Sequence, residues 1–334
     1  MTTAVSPERI LRDLHALWES LAKETAPPEG HSVLRACAMT LIVIAEDNAE
    51  AAGIAQTLGL VMQEHPHRAV IVRVRSGSAP ELGYQVTAQC WRPFGRNRQI
   101  CCEQVEMAAT EASLADAVPA LLAITAPDLP VAVWCRSPGL FGVPALASLF
   151  ARADRVIVDS RDFGDPPAAL GLLTRSAAQG RGSLADLAWG SVTRWREIVA
   201  EIFEDPACRA SLPRLQHLRV LHSAGAVPTT AFYLAGWILS ALERDGIEAG
   251  FVGVEPVGGG IEGIALEAAG STISIRRAQG TAVLIEIDGL RNCTAAPRLS
   301  EAELLGTELG VMGRDPVFER TLPVAARIAA RAPR

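Results

Sequence analysis

The strongest constraint on the fold is an alternation between continuous apolar runs and segments with helical periodicity, which starts near residue 38. The run AMTLIVIAED predicts a strand, AEAAGIAQTLGLVMQEH predicts a helix, and RAVIVRV predicts a second strand. Strands that are apolar along their whole length are typical of parallel sheets that helices cover on both faces. The pattern therefore predicts a βαβ unit inside an α/β domain.

The same alternation continues to about residue 160 and outlines a first domain. YQVTAQCWRP and QICCEQVEMAA predict two strands, and FGRNR between them indicates a hairpin loop at one edge of the sheet. A helix capped by Ser113, the strand VAVWCR, the helix VPALASLFARA and the strand RVIVDS follow. We predict an N-terminal helix and linker over residues 1–31 and a mixed, mostly parallel sheet domain over residues 32–162.

The hydrophobic period changes in the second part of the chain, which we assign to residues 163–334. SLADLAWGSVTRWREIVAEIFED predicts a long helix capped by Ser183, and the strand LQHLRVLHS precedes the helix TTAFYLAGWILSALERDG. The runs GFVGVEPV, IALEAA, STISIRRA and AVLIEIDG have a period of two and predict an antiparallel meander. This part is therefore expected to be an α+β domain.

Charge and composition exclude several classes of function. The formal net charge is -6 and no basic block is present, so nucleic acid is not an expected partner. The single lysine is Lys23, which excludes a Walker loop and Schiff-base chemistry. No apolar run approaches the roughly 20 residues of a membrane span, and the first residues lack the features of a secretory signal. We therefore expect a cytoplasmic protein that does not bind membranes.

Known catalytic and cofactor-binding motifs are absent from the sequence, or are followed by the wrong type of predicted element. Gly258–Gly263 match the dinucleotide pattern G-x-G-x-x-G, but a strand is predicted after them where the pattern needs a helix, so we interpret them as a hairpin turn. The six histidines stand in no catalytic or zinc-binding frame. We therefore predict no catalytic residue, no cofactor and no metal.

Polar and aromatic residues at the carboxyl ends of the predicted strands, and on one helix, are candidates for a contact surface. Open α/β sheets bind ligands at these strand ends, and tryptophan and arginine are frequent at interfaces. The alternatives are that the aspartate and serine cap the next segment, that the arginines are solvated, and that the helical tryptophan is simply packed. The candidates are Trp134, Arg136, Asp159, Ser160, Trp195 and Arg196.

Five segments of the chain together resemble one known family. HPHRAVIVRV, ICCEQVEM, PDLPVAVWCR, ADRVIVDS and LAWGSVTRWREIVAEIFED resemble, in this order, the OpcA family of glucose-6-phosphate dehydrogenase assembly proteins. The resemblance runs from about residue 35 to 290. It implies a Rossmann-like N-terminal domain and a distinct C-terminal domain. It also implies a non-catalytic partner that assembles or activates glucose-6-phosphate dehydrogenase and so controls entry into the oxidative pentose phosphate pathway.

The resemblance also bears on the cysteines. Cys135 occupies a position at which family members carry a second tryptophan. Seven scattered cysteines are typical of reduced cytosolic thiols. Some photosynthetic members respond to thiol redox state, which makes Cys101 and Cys102 candidates for such control, although we favour buried structural thiols.

Two other classes of function compete with this assignment. The first is a sugar-phosphate-binding enzyme or sensor, for example a lactonase-like hydrolase, with arginines for the phosphate and Asp159 or Glu103 as the base. The second is a nicotinamide-binding protein, which rests on the alternation and the glycine pattern alone. We predict a two-domain allosteric subunit without enzymatic activity and leave open whether it forms a homo-oligomer.

Overall fold

The computed structural model describes residues 5–24, 32–47, 51–93, 98–179, 183–243 and 246–332. The chain divides into two compact units that interleave along the sequence. The first unit contains residues 1–158, 180–185 and 301–314, and the second contains residues 159–179, 186–300 and 315–334.

Helices and strands largely alternate in the first half of the chain, although three strands follow one another between His67 and Thr110. Up to residue 158 they are α1 (Pro7–Glu24), β1 (Ser32–Arg35), β2 (Met39–Glu46), α2 (Ala51–Val61), β3 (His67–Arg75), β4 (Leu82–Trp91), β5 (Arg98–Thr110), α3 (Leu114–Ala123), β6 (Val131–Cys135), α4 (Pro138–Phe141), α5 (Ala147–Arg152) and β7 (Arg155–Val158).

Helices dominate the next hundred residues, and short strands follow. The elements are α6 (Pro166–Ala178), β8 (Ser183–Asp186), α7 (Leu187–Ser191), α8 (Thr193–Ile202), α9 (Pro206–Arg209), β9 (Leu215–Ser223), α10 (Thr229–Leu242), β10 (Glu248–Val254), β11 (Ile261–Ala268), β12 (Ser271–Arg277), β13 (Ala282–Ile287), β14 (Leu290–Ala295), α11 (Glu301–Gly310) and α12 (Pro316–Arg331).

The sheet of the first unit has the order β1-β5-β3-β2-β6-β7-β8, with β4 beside β5. The β1–β5, β5–β3, β3–β2, β2–β6 and β6–β7 pairs are parallel, whereas β4 and β5 are antiparallel. Strand β2 is buried from Met39 to Ala45, as its apolar sequence requires. The predicted mixed, mostly parallel sheet is thus confirmed. Residues 94–97 of the predicted FGRNR loop lie outside the described residues.

The segment that begins at Ser183 differs from the sequence prediction. It starts with strand β8, and helix α7 begins only at Leu187. Asp186 adopts an extended conformation and accepts a hydrogen bond from the backbone N–H of Ala188, so the aspartate is the helix cap. The predicted Ser183 cap is therefore wrong.

The sheet of the second unit has the order β10-β9-β11-β12-β13-β14. Strands β11, β12 and β13 pair as the predicted antiparallel meander, and β14, which the sequence did not predict, extends it beside β13. Strand β10, which was predicted to belong to this meander, instead pairs in parallel with β9, and helix α10 connects the two. The predicted α+β character is confirmed, with this edge strand as the correction.

The glycine pattern at Gly258–Gly263 is not a hairpin turn. The two strands that it joins, β10 and β11, lie on opposite sides of β9, so the loop passes across the end of that strand. The N–H groups of Gly258 and Gly259 donate to Oε1 of Glu262, at 3.2 and 2.6 Å. Strand β11 begins at Ile261, where a dinucleotide-binding loop would need a helix.

Within the described parts of the chain, no helix is both long enough and apolar enough to cross a membrane.

Candidate partner-binding site

Two of the predicted contact residues, Trp134 and Arg136, lie at the carboxyl end of β6 in the first unit. The indole of Trp134 is completely buried, and the guanidinium of Arg136 lies 5.1 Å from the centre of its ring. The N–H of Arg136 donates to the carbonyl of Ile44, which extends the pairing of β6 with β2. Arg136 is therefore held between a buried aromatic ring and the central strand, and its side chain is 16% exposed.

Arg136 forms an ion pair with the first residue of α11. Its Nη2 lies 2.7 Å from Oε1 of Glu301, and the hydroxyl of Thr57 in α2 donates to the other carboxylate oxygen at 3.2 Å. In an open α/β sheet the carboxyl ends of the central strands form the crevice that binds ligands. In this chain a glutamate from its own sequence occupies that position.

The loop after β2 also departs from a phosphate-binding loop. Strand β2 ends at Glu46 and Asp47 follows it, where dinucleotide-binding folds carry glycines. The N–H of Glu46 is already bonded to the hydroxyl of Ser137, at 2.9 Å. Acidic side chains and an occupied backbone N–H disfavour a pyrophosphate here.

The arginines at the end of β3 are paired with carboxylates. Arg73 lies 3.1 Å from Glu106, and Arg75 lies 3.7 Å from Asp47 and 3.2 Å from Glu81. The sugar-phosphate alternative needs these guanidinium groups for a phosphate. Their charges are already balanced by this chain.

Glu103, one candidate base of that alternative, is buried in an ionic cluster. Oε2 accepts a hydrogen bond from the indole of Trp18 at 2.9 Å, and the carboxylate pairs with Arg68 and Arg35. Burial alone raises the pKa of Glu103, but the Trp18 hydrogen bond and the two guanidinium charges outweigh it and lower the pKa. Such a carboxylate is a poor proton acceptor, and its observed contacts anchor helix α1 to the sheet.

Asp159 and Ser160 lie in the second unit, where they begin a 3₁₀ turn, Ser160–Phe163. The carboxylate of Asp159 accepts hydrogen bonds from the backbone N–H and the guanidinium of Arg161, at 3.1 and 2.8 Å. The carbonyl of Ser160 accepts a bond from Thr229 at the start of α10. Both residues are buried, and the capping alternative describes the contacts of Asp159, which accepts the N–H of Arg161 at the start of the turn.

A buried acid beside them, Asp186, was not among the candidates from the sequence. It accepts the N–H groups of Ser160 and Ala188, both at 2.9 Å, and the hydroxyl of Tyr233 at 2.7 Å. Burial, together with the negative charge of Asp159, raises the pKa of Asp186 to about 6. The sequence signal was weak, because an aspartate before a helix predicts only a cap.

Trp195 and Arg196 occupy adjacent positions on α8 but have different surroundings. Trp195 is 3% exposed and lies under the guanidinium of Arg277, whose carbon is 5.2 Å from the ring centre. Arg196 is half-buried, and its guanidinium carbon lies 3.6 Å from the ring centre of Trp189. The ring of Trp189 is also buried. Both indoles are core residues in this chain.

The two candidate redox cysteines have different states. Cys101 forms a disulfide with Cys90, which lies directly opposite it in the β4–β5 register. Our expectation of reduced thiols is therefore wrong for this pair. Cys102 is a buried free thiol whose pKa is raised to about 11, chiefly by burial, so it has little thiolate character.

The part of the chain that the structure describes contains no group of three or more histidine, cysteine, aspartate or glutamate side chains arranged to hold a metal ion.

These features define a Rossmann-like α/β protein in which the arginines at the carboxyl ends of β3 and β6 are paired with the chain's own carboxylates. Two family models match it. One describes the N-terminal domain of the glucose-6-phosphate dehydrogenase subunit and matches residues 60–175, and the other describes its C-terminal domain and matches residues 182–322. The chain belongs to the OpcA family, which confirms the resemblance found in the sequence.

Curated relatives carry the same family name. A protein from Synechocystis sp., provisionally named OxPP cycle protein OpcA, is 27% identical over 225 residues, which are 66% of this chain and 46% of that protein. Its namesake from Nostoc punctiforme is 29% identical over 187 residues, 54% of this chain and 38% of that protein. This chain thus spans less than half the length of these relatives.

Solved structures with a similar fold include two distant proteins. A Gfo/Idh/MocA family oxidoreductase from Vibrio cholerae covers 87% of this chain and 96% of its own, with a TM-score of 0.44 and 11% identity. The transcriptional regulator Gal80p from Kluyveromyces lactis covers 95% of both chains, with a TM-score of 0.44 and 9% identity. Both similarities are weak.

Proposed function

We propose that this chain is a non-catalytic assembly factor and allosteric activator of glucose-6-phosphate dehydrogenase, and that it controls entry into the oxidative pentose phosphate pathway. The observation that carries the proposal is the ion pair between Arg136 and Glu301, because it occupies the position at which an enzyme of this fold class would hold its ligand. The descriptions of the two matching family models support a role beside the dehydrogenase.

A binding partner of this kind acts by differential affinity. It shifts the dehydrogenase toward an active or assembled form only if it binds that form more tightly than the others. Of the six predicted contact residues, Arg136 and Arg196 retain partly exposed side chains, and each guanidinium stacks on a buried indole. We propose that these two arginines contact the dehydrogenase and that the tryptophans position them.

The test is the activity and oligomer size of the dehydrogenase, with and without this chain, by enzyme assay and light scattering. We expect a larger dehydrogenase assembly, higher activity, or both. A dehydrogenase whose activity and oligomer size do not change when this chain is added would overturn the proposal. The same light-scattering run on the chain alone reports whether it is a homo-oligomer.

Arg196→Ala should weaken binding to the dehydrogenase, because it removes a partly exposed guanidinium that the buried ring of Trp189 holds in place. Arg194→Ala on the same helix is the matched control, since Arg194 forms ion pairs with Glu197 and Glu201. Equal loss in both variants would assign the effect to the helix rather than to Arg196.

Enzymatic activity is tested separately with the purified chain. Incubation with 6-phosphogluconolactone and with sugar phosphates should give no hydrolysis, and titration with NADP should not raise the melting temperature. Turnover without any partner would replace the assembly proposal with the sugar-phosphate alternative.

A further inference from the structure

Strand β10 forms one end of the second unit's sheet, and β9 is its one neighbour in the described chain. Its sequence, EAGFVGV, contains neither proline nor a basic residue, which are common protections of an edge strand. Gly250 and Gly253 lie within it, and glycines in a strand allow another backbone to approach closely. The outer edge of β10 is therefore suited to accept a further strand.

A trough of about 790 Å³ lies beside this edge. Residues of β10, of the carboxyl-terminal part of α10 and of the last turns of α12 line it. Its apolar wall is formed by Leu239, Ile247, Phe251, Val324 and Ile328. A volume of this size accommodates several side chains of a bound segment.

The charges of the trough are uneven. Arg327 and Arg331, one turn apart on α12, line it, are exposed, and have no carboxylate partner among the described residues. Glu243 is the one acid among the described residues of the lining. By contrast, the half-exposed Arg219 of β9 is paired with Glu267. The trough therefore presents two arginines without a carboxylate partner among the described residues, next to apolar side chains and an open strand edge.

We propose that the edge of β10 and this trough bind an extended acidic segment of the dehydrogenase by strand addition; this inference rests on the proposed function. The backbone of the segment pairs with β10, and alternate apolar side chains enter the trough. Carboxylates of the segment form charge-assisted hydrogen bonds with Arg327 and Arg331. The positive charges of Arg327 and Arg331 select an acidic segment over a neutral or basic one.

The first experiment reverses the two charges. The double variant Arg327→Glu, Arg331→Glu should weaken binding of the full chain to the dehydrogenase by about tenfold or more. The control is Arg209→Glu, Arg320→Glu, which changes the net charge equally at exposed arginines that do not line the trough. We expect the control to bind like the unmodified chain. Equal binding by all three proteins would overturn the docking surface.

The second experiment does not depend on variants. Hydrogen–deuterium exchange of residues 248–254 should slow when the dehydrogenase is added, because added backbone pairing protects the edge amides. If the complex forms but the exchange of residues 248–254 is unchanged, the docking surface is wrong and the proposed function still stands. If the unmodified chain does not bind the dehydrogenase at all, both proposals fail. Protection that appears without the dehydrogenase and grows with concentration would assign the edge to a second copy of this chain and overturn the proposal.

Discussion

The hydroxyl of Tyr233 donates a 2.7 Å hydrogen bond to the carboxylate of Asp186, and both side chains are completely buried. The same carboxylate receives the backbone N–H groups of Ser160 and Ala188. One acid therefore connects the turn after β7, the start of α7 and the first half of α10. Because its pKa is raised to about 6, burial of the charged form costs stability near neutral pH.

Asp186→Asn should remove a pH-dependent part of the stability. The pKa of Asp186 is about 6 in the folded chain and near 3.8 in the unfolded chain, so the folded state binds more protons between these values. The free energy of unfolding therefore falls as pH rises through this window, and Asp186 contributes up to about 3 kcal/mol to that fall. Urea denaturation from about pH 4 to pH 7 should show that fall in the unmodified chain, and a shallower one in the variant.

Asp116→Asn, on the exposed face of α3, is the control and should keep the pH dependence of the unmodified chain. A parallel pH profile for all three proteins would show that Asp186 does not titrate in this window.

Glu103→Gln should destabilise the first unit strongly. The substitution removes the negative charge that neutralises Arg68, which is 6% exposed, and Arg35. Loss of one partner of a buried ion pair costs about 3–5 kcal/mol, because the other charge stays buried. Glu106→Gln, on the same strand and paired with the partly exposed Arg73, should cost about 1 kcal/mol or less. Equal urea unfolding midpoints for the Glu103→Gln and Glu106→Gln variants would contradict a stabilising role of the ionic cluster around Glu103.

Patterns within short segments predicted much of the fold. The apolar run of β2 reflects burial along the whole strand, and the two-residue period of β12 and β13 reflects burial on one face, so these strands could be predicted directly. Strand β14 is mostly exposed and was not predicted. The helix start at Ser183 was predicted wrongly, because a hydroxyl side chain followed by apolar residues at helical spacing is typical of a helix N-terminus. The edge pairing of β8 and the bond between Asp186 and the N–H of Ser160 depend on neighbours distant in sequence.

The candidate site was harder to predict, because its contacts join distant parts of the chain. Arg136 and Glu301 are 165 residues apart, and no local pattern connects them. Burial of Trp134 and Trp195 also follows from tertiary packing rather than from the residue type. The pairing of Cys90 with Cys101 did carry a signal, since the two residues are nearly symmetric about the predicted loop FGRNR.

The disulfide predicts a thiol count and a stability difference. After unfolding without reductant, five of the seven cysteines should react with a thiol reagent, and all seven after reduction. The double variant Cys90→Ser, Cys101→Ser should lose about 2–3 kcal/mol of unfolding free energy, because the crosslink closes a short loop in the unfolded chain.

Cys293→Ser, at an exposed free cysteine, should leave that free energy unchanged. Seven reactive thiols before reduction would show that the pair is not oxidised in the purified protein.

Gly236 sets how closely α10 and α12 approach. A Cβ at this position would lie 2.9 Å from the backbone nitrogen and 3.0 Å from the Cα of Ala325 in α12. Gly236→Ala should therefore cost about 1–3 kcal/mol, although alanine is the better helix former. Gly59→Ala in α2 has nothing within 4 Å of the new Cβ and should stabilise the chain by up to about 1 kcal/mol. Thermal and urea unfolding of both variants measure the difference in stability. Equal stability of the Gly236→Ala and Gly59→Ala proteins would mean that α10 and α12 can move apart at little cost in free energy.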